Sequence, residues 1–271
     1  MKIENVIKKF NKDIIYLCPK CKEQSEINEK SLVCKNNHSY DFSKKGYIHL
    51  INNYKATKYN MELFDARQIV FGNDFYKPVL EQLQKIIAKY GGQNILDLGC
   101  GEGYYIDGLK RIFPEKYFYG LDNSKEAIEL AVKKDKNNPY MLANLSNLPF
   151  GENSIDCILN ILTPANYDEF FRVLGKEGYL IKIIPGAKYL QEIRSLVGFD
   201  SYTNEETVKL IEDNCTILER IIVNNNYQLN YELASNFFKM TPLTFSKEID
   251  ENTIRRLKNI TIDLEILICK K

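Results

Sequence analysis

The spacing of apolar positions changes along the chain and divides it into three zones. In residues 1–52 the apolar runs are short (YLC, SLVC, YIHLI) and set in Lys- and Asn-rich sequence. Runs of that length suit small strands stapled by something other than a core. Residues 53–76, NYKATKYNMELFDARQIVFGNDFY, mix charges with aromatics and read as a connector, partly helical. From residue 77 the pattern becomes regular. KPVLEQLQKIIAKY carries Pro78 near its start and apolar residues at 79, 80, 83, 86, 87 and 90, a helical stripe ended by Gly91-Gly92. NILDLGCG is a short apolar strand entering a glycine turn, and YYIDGLKRIF follows as an apolar helix. YFYGLDNS is a second strand, SKEAIELAVKK a helix, and PYMLANLSNLPF a third strand with its loop. SIDCILNIL, YDEFFRVLG and GYLIKIIPG then read as strand, helix, strand. ILERIIVN, NYQLN and the closing LEILICK suit additional strands at one edge. Strands alternating with helices predict an α/β fold with a mostly parallel, doubly wound sheet and helices on both faces.

Composition narrows this picture. The chain has 271 residues, 44% of them apolar, which allows a sizeable core and excludes full-length disorder. The formal net charge of +1 conceals a split: residues 1–60 hold 12 basic and 6 acidic side chains, residues 61–271 hold 25 and 30. A basic N-terminal piece on a mildly acidic body suggests a docking module for a polyanion. The opening MKIENVIKKF lacks the apolar core of a secretory signal, and no apolar run approaches the roughly 20 residues of a membrane helix. The expectation is a cytoplasmic protein without membrane contact.

Seven cysteines, at 18, 21, 34, 100, 157, 215 and 269, do not form a disulfide framework. Cys18, Cys21, Cys34 and His38 instead give C-x2-C-x12-C-x3-H. Four ligands in two short pairs fit tetrahedral zinc with no open position, hence a structural metal. Three thiolates and an imidazole around Zn²⁺ leave a charge of −1, offset by Lys20, Lys22, Lys30 and Lys35. The other four cysteines sit in apolar segments and read as core thiols; His49 reads as a strand residue.

Asp97-Leu98-Gly99-Cys100-Gly101-Glu102-Gly103 links a strand to a helix. A dinucleotide loop, G-x-G-x-x-G, would place its last glycine at 104, which is Tyr104. The G-x-G-x-G pattern with an acid two residues before it resembles the first motif of class I S-adenosylmethionine (SAM) methyltransferases. Asp122, 21 residues after Gly101, ends the second strand, where a carboxylate can accept both ribose hydroxyls. Asn144 follows the third strand, where its amide can meet the adenine edge. RVLGKEGYL resembles the stretch that these enzymes carry before their fifth strand.

Taken together, CPKC…CKNNH, SYDFSKKGYIHLI, DARQIVFGNDFYKPV, LDLGCGEGYY, LPF, RVLGKEGYL, PGAKYLQEI and KMTPL resemble, over essentially the whole chain and in order, the RlmA family of bacterial 23S ribosomal RNA (guanine-N1)-methyltransferases. The resemblance implies a class I, Rossmann-like fold with a seven-stranded sheet. It implies a zinc-binding RNA-recognition domain over 1–55 and a SAM-dependent methyltransferase domain over 56–271, with 56–76 as connector. It further implies a homodimer acting on N1 of a guanine in a hairpin loop of 23S rRNA. Carried over residue by residue, Cys18, Cys21, Cys34 and His38 are the metal ligands. Tyr76, Asp97, Gly99, Cys100, Gly101, Glu102, Gly103, Asp122, Asn123, Asn144 and Tyr189 line the cofactor. Tyr189 stands where some members carry a cofactor-side histidine, and Glu177 replaces the usual proline of the pre-strand stretch. No residue emerges as the proton acceptor for guanine N1. Asn160, Thr163 and Pro164 are placed to line the acceptor pocket, and Tyr104, Tyr167 and Tyr189 are stacking candidates for a base. A methyltransferase acting on another RNA or on a small molecule is the competing reading.

Overall fold

The structure, a computed structural model, describes residues 2–52, 54, 60–199, 202–245 and 247–271. The first four connector positions, 56–59, and the boundary at 55 lie outside the described residues.

The N-terminal region opens with a short helix, α1 (Ile3–Ile7), and an antiparallel meander of β1 (Tyr16–Leu17), β2 (Gln24–Asn28), β3 (Ser31–Cys34) and β4 (Ser39–Asp41). β5 (Tyr47–His49) then leaves this meander. It pairs in parallel with β8 (Tyr140–Leu142), Tyr47 opposite Tyr140, so the N-terminal region supplies an edge strand to the larger sheet. The connector contributes α2 (Met61–Gly72), capped by the Asn60 side chain on the Leu63 N–H at 3.0 Å.

The larger body follows the expected alternation: α3 (Lys77–Tyr90), β6 (Asn94–Leu98), α4 (Tyr104–Ile112), β7 (Tyr117–Asp122), α5 (Lys125–Lys134), β8, β9 (Ile155–Ile161), α6 (Tyr167–Val173) and β10 (Leu174–Pro185). Ser124 caps α5 by accepting the Ala127 N–H, as serine does at a helix start. The C-terminal part adds α7 (Gln191–Leu196), α8 (Glu205–Glu212), β11 (Thr216–Gln228), α9 (Tyr231–Met240), α10 (Glu251–Arg256) and β12 (Asn259–Lys270). ILERIIVN and NYQLN, read separately from the sequence, form the single 13-residue strand β11.

The large sheet has the order β11-β12-β10-β9-β6-β7-β8-β5. The seven strands expected are present, and β5 is an eighth. β10, β9, β6, β7, β8 and β5 run parallel; β12 is antiparallel to both β10 and β11. Two cores cover the two faces. Cys157, Leu159, Ile181 and Ile183 pack on one side with residues of α3, α4, α5 and α9. Ile158, Leu180 and Ile184 pack on the other with Phe170, Val173 and Ile211. This second core continues into Val6, Phe10, Ile14, Tyr16, Leu32 and Phe42, so the zinc module is built onto that face. The sheet order reverses between β6 and β9, and in open α/β sheets ligands bind outside the strand ends at such a switch point.

Candidate functional site

The loop after β6 lies at this switch point. Gly99, Gly101 and Gly103 have φ of 77°, 54° and 73°, a region that residues with a Cβ enter only under strain. Space adds to the demand. A Cβ on Gly99 would collide with Thr163, and one on Gly103 would stand 2.8 Å from the Tyr140 hydroxyl. The loop is anchored by Gly99 N–H and Cys100 N–H donating to Leu121 O at 2.8 and 3.1 Å. Cys100 is buried, and desolvation, with Asp122 next, holds its thiol well above the ordinary value.

Asp122 closes the arrangement. Its Oδ2 accepts the Gly101 N–H at 2.9 Å and its Oδ1 the Ser124 N–H at 2.8 Å. Two lone pairs on the carboxylate stay open, which suits a diol. Asn123 and Asn144 are exposed beside it, at the ends of β7 and β8. Asp97 is different: it is 2% exposed and neither carboxylate oxygen has a hydrogen-bond partner. Burial, with Asp122 beside it, raises its pKa to about 8. A buried, unpartnered carboxylate costs free energy, and a ligand ammonium would relieve that cost.

Above the loop, the Tyr76 and Tyr189 hydroxyls meet at 2.7 Å, and Tyr76 stacks on Phe71 with ring centroids 4.5 Å apart. The structure therefore joins two residues 113 positions apart that the sequence had singled out separately. Glu102 is buried and its two oxygens accept from Arg67 Nε at 3.3 and 3.1 Å. Arg67, on α2, was not identified from the sequence; its partner lies 35 residues on, and nothing local marks it.

At the end of β9, Asn160 does not line a pocket with a free amide. It is wholly buried: its Nδ2 donates to Leu98 O at 3.4 Å and Pro164 O at 3.3 Å, and its Oδ1 accepts from Lys182 Nζ. Lys182, 5% exposed, also donates to Thr163 O at 2.5 Å, and desolvation lowers its pKa to about 8. Leu162 takes φ of 53°, so the chain turns sharply and this buried pair holds the Thr163–Pro164 segment against the glycine loop. Lys182 was also missed, because an isolated lysine in IKIIP carries no sequence signal. Tyr104 packs on Phe71 at 4.5 Å and Tyr167 stacks on Phe171, both roles in packing.

The four metal ligands converge. Cys21 and Cys34 Sγ are 3.7 Å apart, and His38 Nδ1 is 3.6 and 3.5 Å from Cys18 and Cys34 Sγ. All four donor atoms lie within 4.8 Å of one another. Zn–S bonds of about 2.3 Å and a Zn–N bond of about 2.0 Å in a tetrahedron demand donor separations of about 3.5–3.8 Å, so the set fits zinc with no open position. Turns at Lys22 (φ 62°) and Asn37 (φ 59°) present the pairs, with Lys22 N–H on Cys18 O and Asn37 N–H on Cys34 O, both at 2.9 Å. Cys157, Cys215 and Cys269 are buried away from this cluster, and His49 lies in β5, as expected.

The zinc module is fastened to the LPF loop. Asn147 Nδ2 donates to Pro19 O at 2.6 Å, Leu17 N–H to Pro149 O at 3.1 Å, and Lys22 Nζ lies 3.5 Å from Glu169. Arg172, from the RVL stretch, holds the same loop through Phe150 O at 2.7 Å and Leu148 O at 3.1 Å while paired with Glu169. The two motifs form one joint.

Two family models match this chain: the RlmA N-terminal zinc ribbon over residues 16–55 and a methyltransferase domain over 96–182. YxjB of Bacillus subtilis, assigned as a 23S rRNA (guanine-N1)-methyltransferase, is 31% identical, covering 95% of this chain and 97% of its own length. The 23S rRNA (guanine(748)-N(1))-methyltransferase of Streptomyces fradiae is 22% identical over 93% and 95%. Among solved structures, one concerned with conversion of a disulfide bond into a thioacetal group during echinomycin biosynthesis superimposes with a TM-score of 0.50 at 13% identity, over 72% of this chain and 81% of that one. The methyltransferase domain and the closed Cys₃His set accordingly mark a SAM-dependent methyltransferase with a structural zinc. The chain belongs to the RlmA family of 23S rRNA (guanine-N1)-methyltransferases.

Proposed function

We propose that this enzyme methylates N1 of a guanine in a hairpin loop of 23S rRNA. The observation that carries the reading is the joint itself: a zinc module with a basic surface, fastened through Asn147 and Glu169 to the loop that follows the adenine-side strand. The relatives over nearly the full length are named as 23S rRNA (guanine-N1)-methyltransferases. Residues 1–55 serve RNA recognition and residues 56–271 serve methyl transfer.

When bound, SAM supplies an electrophilic methyl group, so the protein's contribution is alignment. Gly99–Gly103 and Asp122 cradle the nucleoside, Asp97 meets the ammonium, and Tyr76 with Tyr189 closes the cleft. Asn123 and Asn144 border the adenine side. N1 lies on the Watson–Crick edge, so the target guanine must be unpaired and splayed out of its stack. The Asn160–Lys182 pair fixes the Thr163–Pro164 segment that the splayed base meets. The N1 proton must leave before or during transfer to an acceptor within hydrogen-bond reach.

Incubation of the purified enzyme with tritiated SAM and a 23S hairpin transcript tests this. Incorporation recovered as N1-methylguanosine is the expected result; label on transfer RNA or small molecules alone would favour the competing reading. Family membership supports a cytoplasmic enzyme. Separately, no helix among the described residues is long and apolar enough to cross a membrane. Dimerisation is part of the same reading: the edge strand β11 leaves Leu218 and Ile222 46% and 64% exposed, and light scattering tests for a homodimer.

A further inference from the structure

Around the glycine loop stand three carboxylates, Asp97, Glu102 and Asp122, and one guanidinium, Arg67. Glu102 is matched by the Arg67 Nε, and each Asp122 oxygen already accepts one backbone N–H while its open lone pairs suit the ribose diol. Asp97 has no partner. Arg67, for its part, uses only Nε. Among the described residues no hydrogen bond engages Nη1 or Nη2, although the side chain is only 32% exposed. The Nη2 atom stands 3.6 Å from where a Cβ on Gly101 would lie, so the open side of the fork faces the loop. The charge of Arg67 is felt by Asp122, Tyr76, Tyr105 and Tyr189, residues on four different segments that converge on the cleft. Glu102 fixes the guanidinium plane and the Phe71 ring, 4.9 Å from Cζ, supports it from one side.

The amino-acid end of SAM is a zwitterion. Its ammonium needs an anion without another partner, and its carboxylate needs a cation with open N–H groups. Guanidinium forks take carboxylates in paired hydrogen bonds. We propose that Arg67 binds the α-carboxylate of the cofactor through its Nη groups, held in place by Glu102, with Asp97 receiving the ammonium. This rests on the cofactor occupying the Gly99–Gly103 cleft. It assigns to the connector helix α2 a direct part in cofactor selection, one that neither the motif pattern nor the family match supplies.

Calorimetric titration with SAM and with decarboxylated SAM provides the test. The wild-type protein should prefer SAM by roughly ten- to a hundredfold, the range of a charged hydrogen-bonded pair. Arg67→Met combined with Glu102→Gln, which avoids leaving a buried carboxylate unpaired, should bring the two ligands to near parity while decarboxylated SAM binds as before. Arg67→Lys should keep part of the preference. A double variant that retains the wild-type ratio, or that weakens both ligands by the same factor, would overturn the assignment and leave Arg67 a purely structural latch. Asp122→Ala separates the two levels: unchanged affinity for both ligands in that variant would show that the cleft itself is misplaced, and the proposal would go with it.

Discussion

The two buried, unpartnered oxygens of Asp97 should make the cleft at the glycine loop sensitive to pH. The groups facing them are Asp122, Cys100, Tyr105 and Tyr140, none of which offers a positive charge. With a folded pKa of about 8 against an ordinary 3.8, the ligand-free protein keeps a proton that the unfolded chain has already lost. Its contribution to stability is therefore greatest below about pH 4 and declines as pH rises toward about 8. Asp97→Asn removes this slope and should stabilise the ligand-free protein at pH 8 by about 1–3 kcal/mol, measured by denaturant titration at pH 5 and pH 8. The ammonium of the cofactor favours the ionised form, so S-adenosylhomocysteine should bind more tightly from pH 6 to 8 and release a proton on binding. In Asp97→Asn both effects should vanish, with affinity down about tenfold or more. A variant that keeps the pH trend would show that another group titrates. Gly99→Ala, by contrast, should cost stability and cofactor affinity together. Positive φ and the collision with Thr163 both oppose a Cβ there, a penalty of about 2 kcal/mol or more.

Among the elements, the joint between LPF and RVL supports both the zinc module and the loop after β8. Arg172 satisfies two carbonyls and pairs with Glu169, which in turn accepts the Leu148 N–H at 2.7 Å. Arg172→Ala leaves a largely buried carboxylate and two carbonyls short of donors and should destabilise the fold by about 2–4 kcal/mol, read by thermal and denaturant unfolding. This scale also shows what the sequence makes legible. β6 to β10 and α3 to α6 were readable because helical stripes and short apolar runs alternate there, punctuated by Gly91-Gly92, the Gly99–Gly103 loop and the Ser124 cap. β5 was not: three residues in YIHLI have no visible reason to pair with β8, far along the chain. β11 was split in reading because Asn224, Asn225 and Asn226 interrupt its apolar run. On an edge strand whose burial alternates, polar residues cost little. The glycine cradle and the zinc ligands were legible from spacing alone. Arg67 and Lys182 were not, because their roles come from partners brought close only by the fold.

Across the whole molecule, zinc module and larger body share one core face and one joint, so metal binding and folding should be coupled, and RNA binding with them if the module recognises RNA. Chelation of the zinc should free Cys18, Cys21 and Cys34 to thiol reagents and remove several kcal/mol of local stability. Hydrogen exchange should show weakened protection in β1 to β4 and in the Leu148–Phe150 loop, while β6, β9 and β10 keep theirs. The basic surface makes a separate prediction. Lys45 is already engaged with Glu129 at 2.7 Å, whereas Lys20 and Lys35 are exposed on the module. RNA affinity should fall steeply with salt, and Lys20→Glu with Lys35→Glu should weaken binding and reduce the salt slope by about 1 for each lysine replaced. SAM affinity should hold in the same variant, since neither lysine touches the cleft.

Primer extension across 23S rRNA, from cells with and without the gene, reads the methyl group at its own nucleotide. A methyl on guanine N1 blocks the pairing edge, so reverse transcriptase halts one nucleotide before it. A halt at a hairpin-loop guanine should be present in the parent strain, disappear in the deletion and return when the intact gene is restored. Identical patterns in the three strains would contradict the proposed methylation.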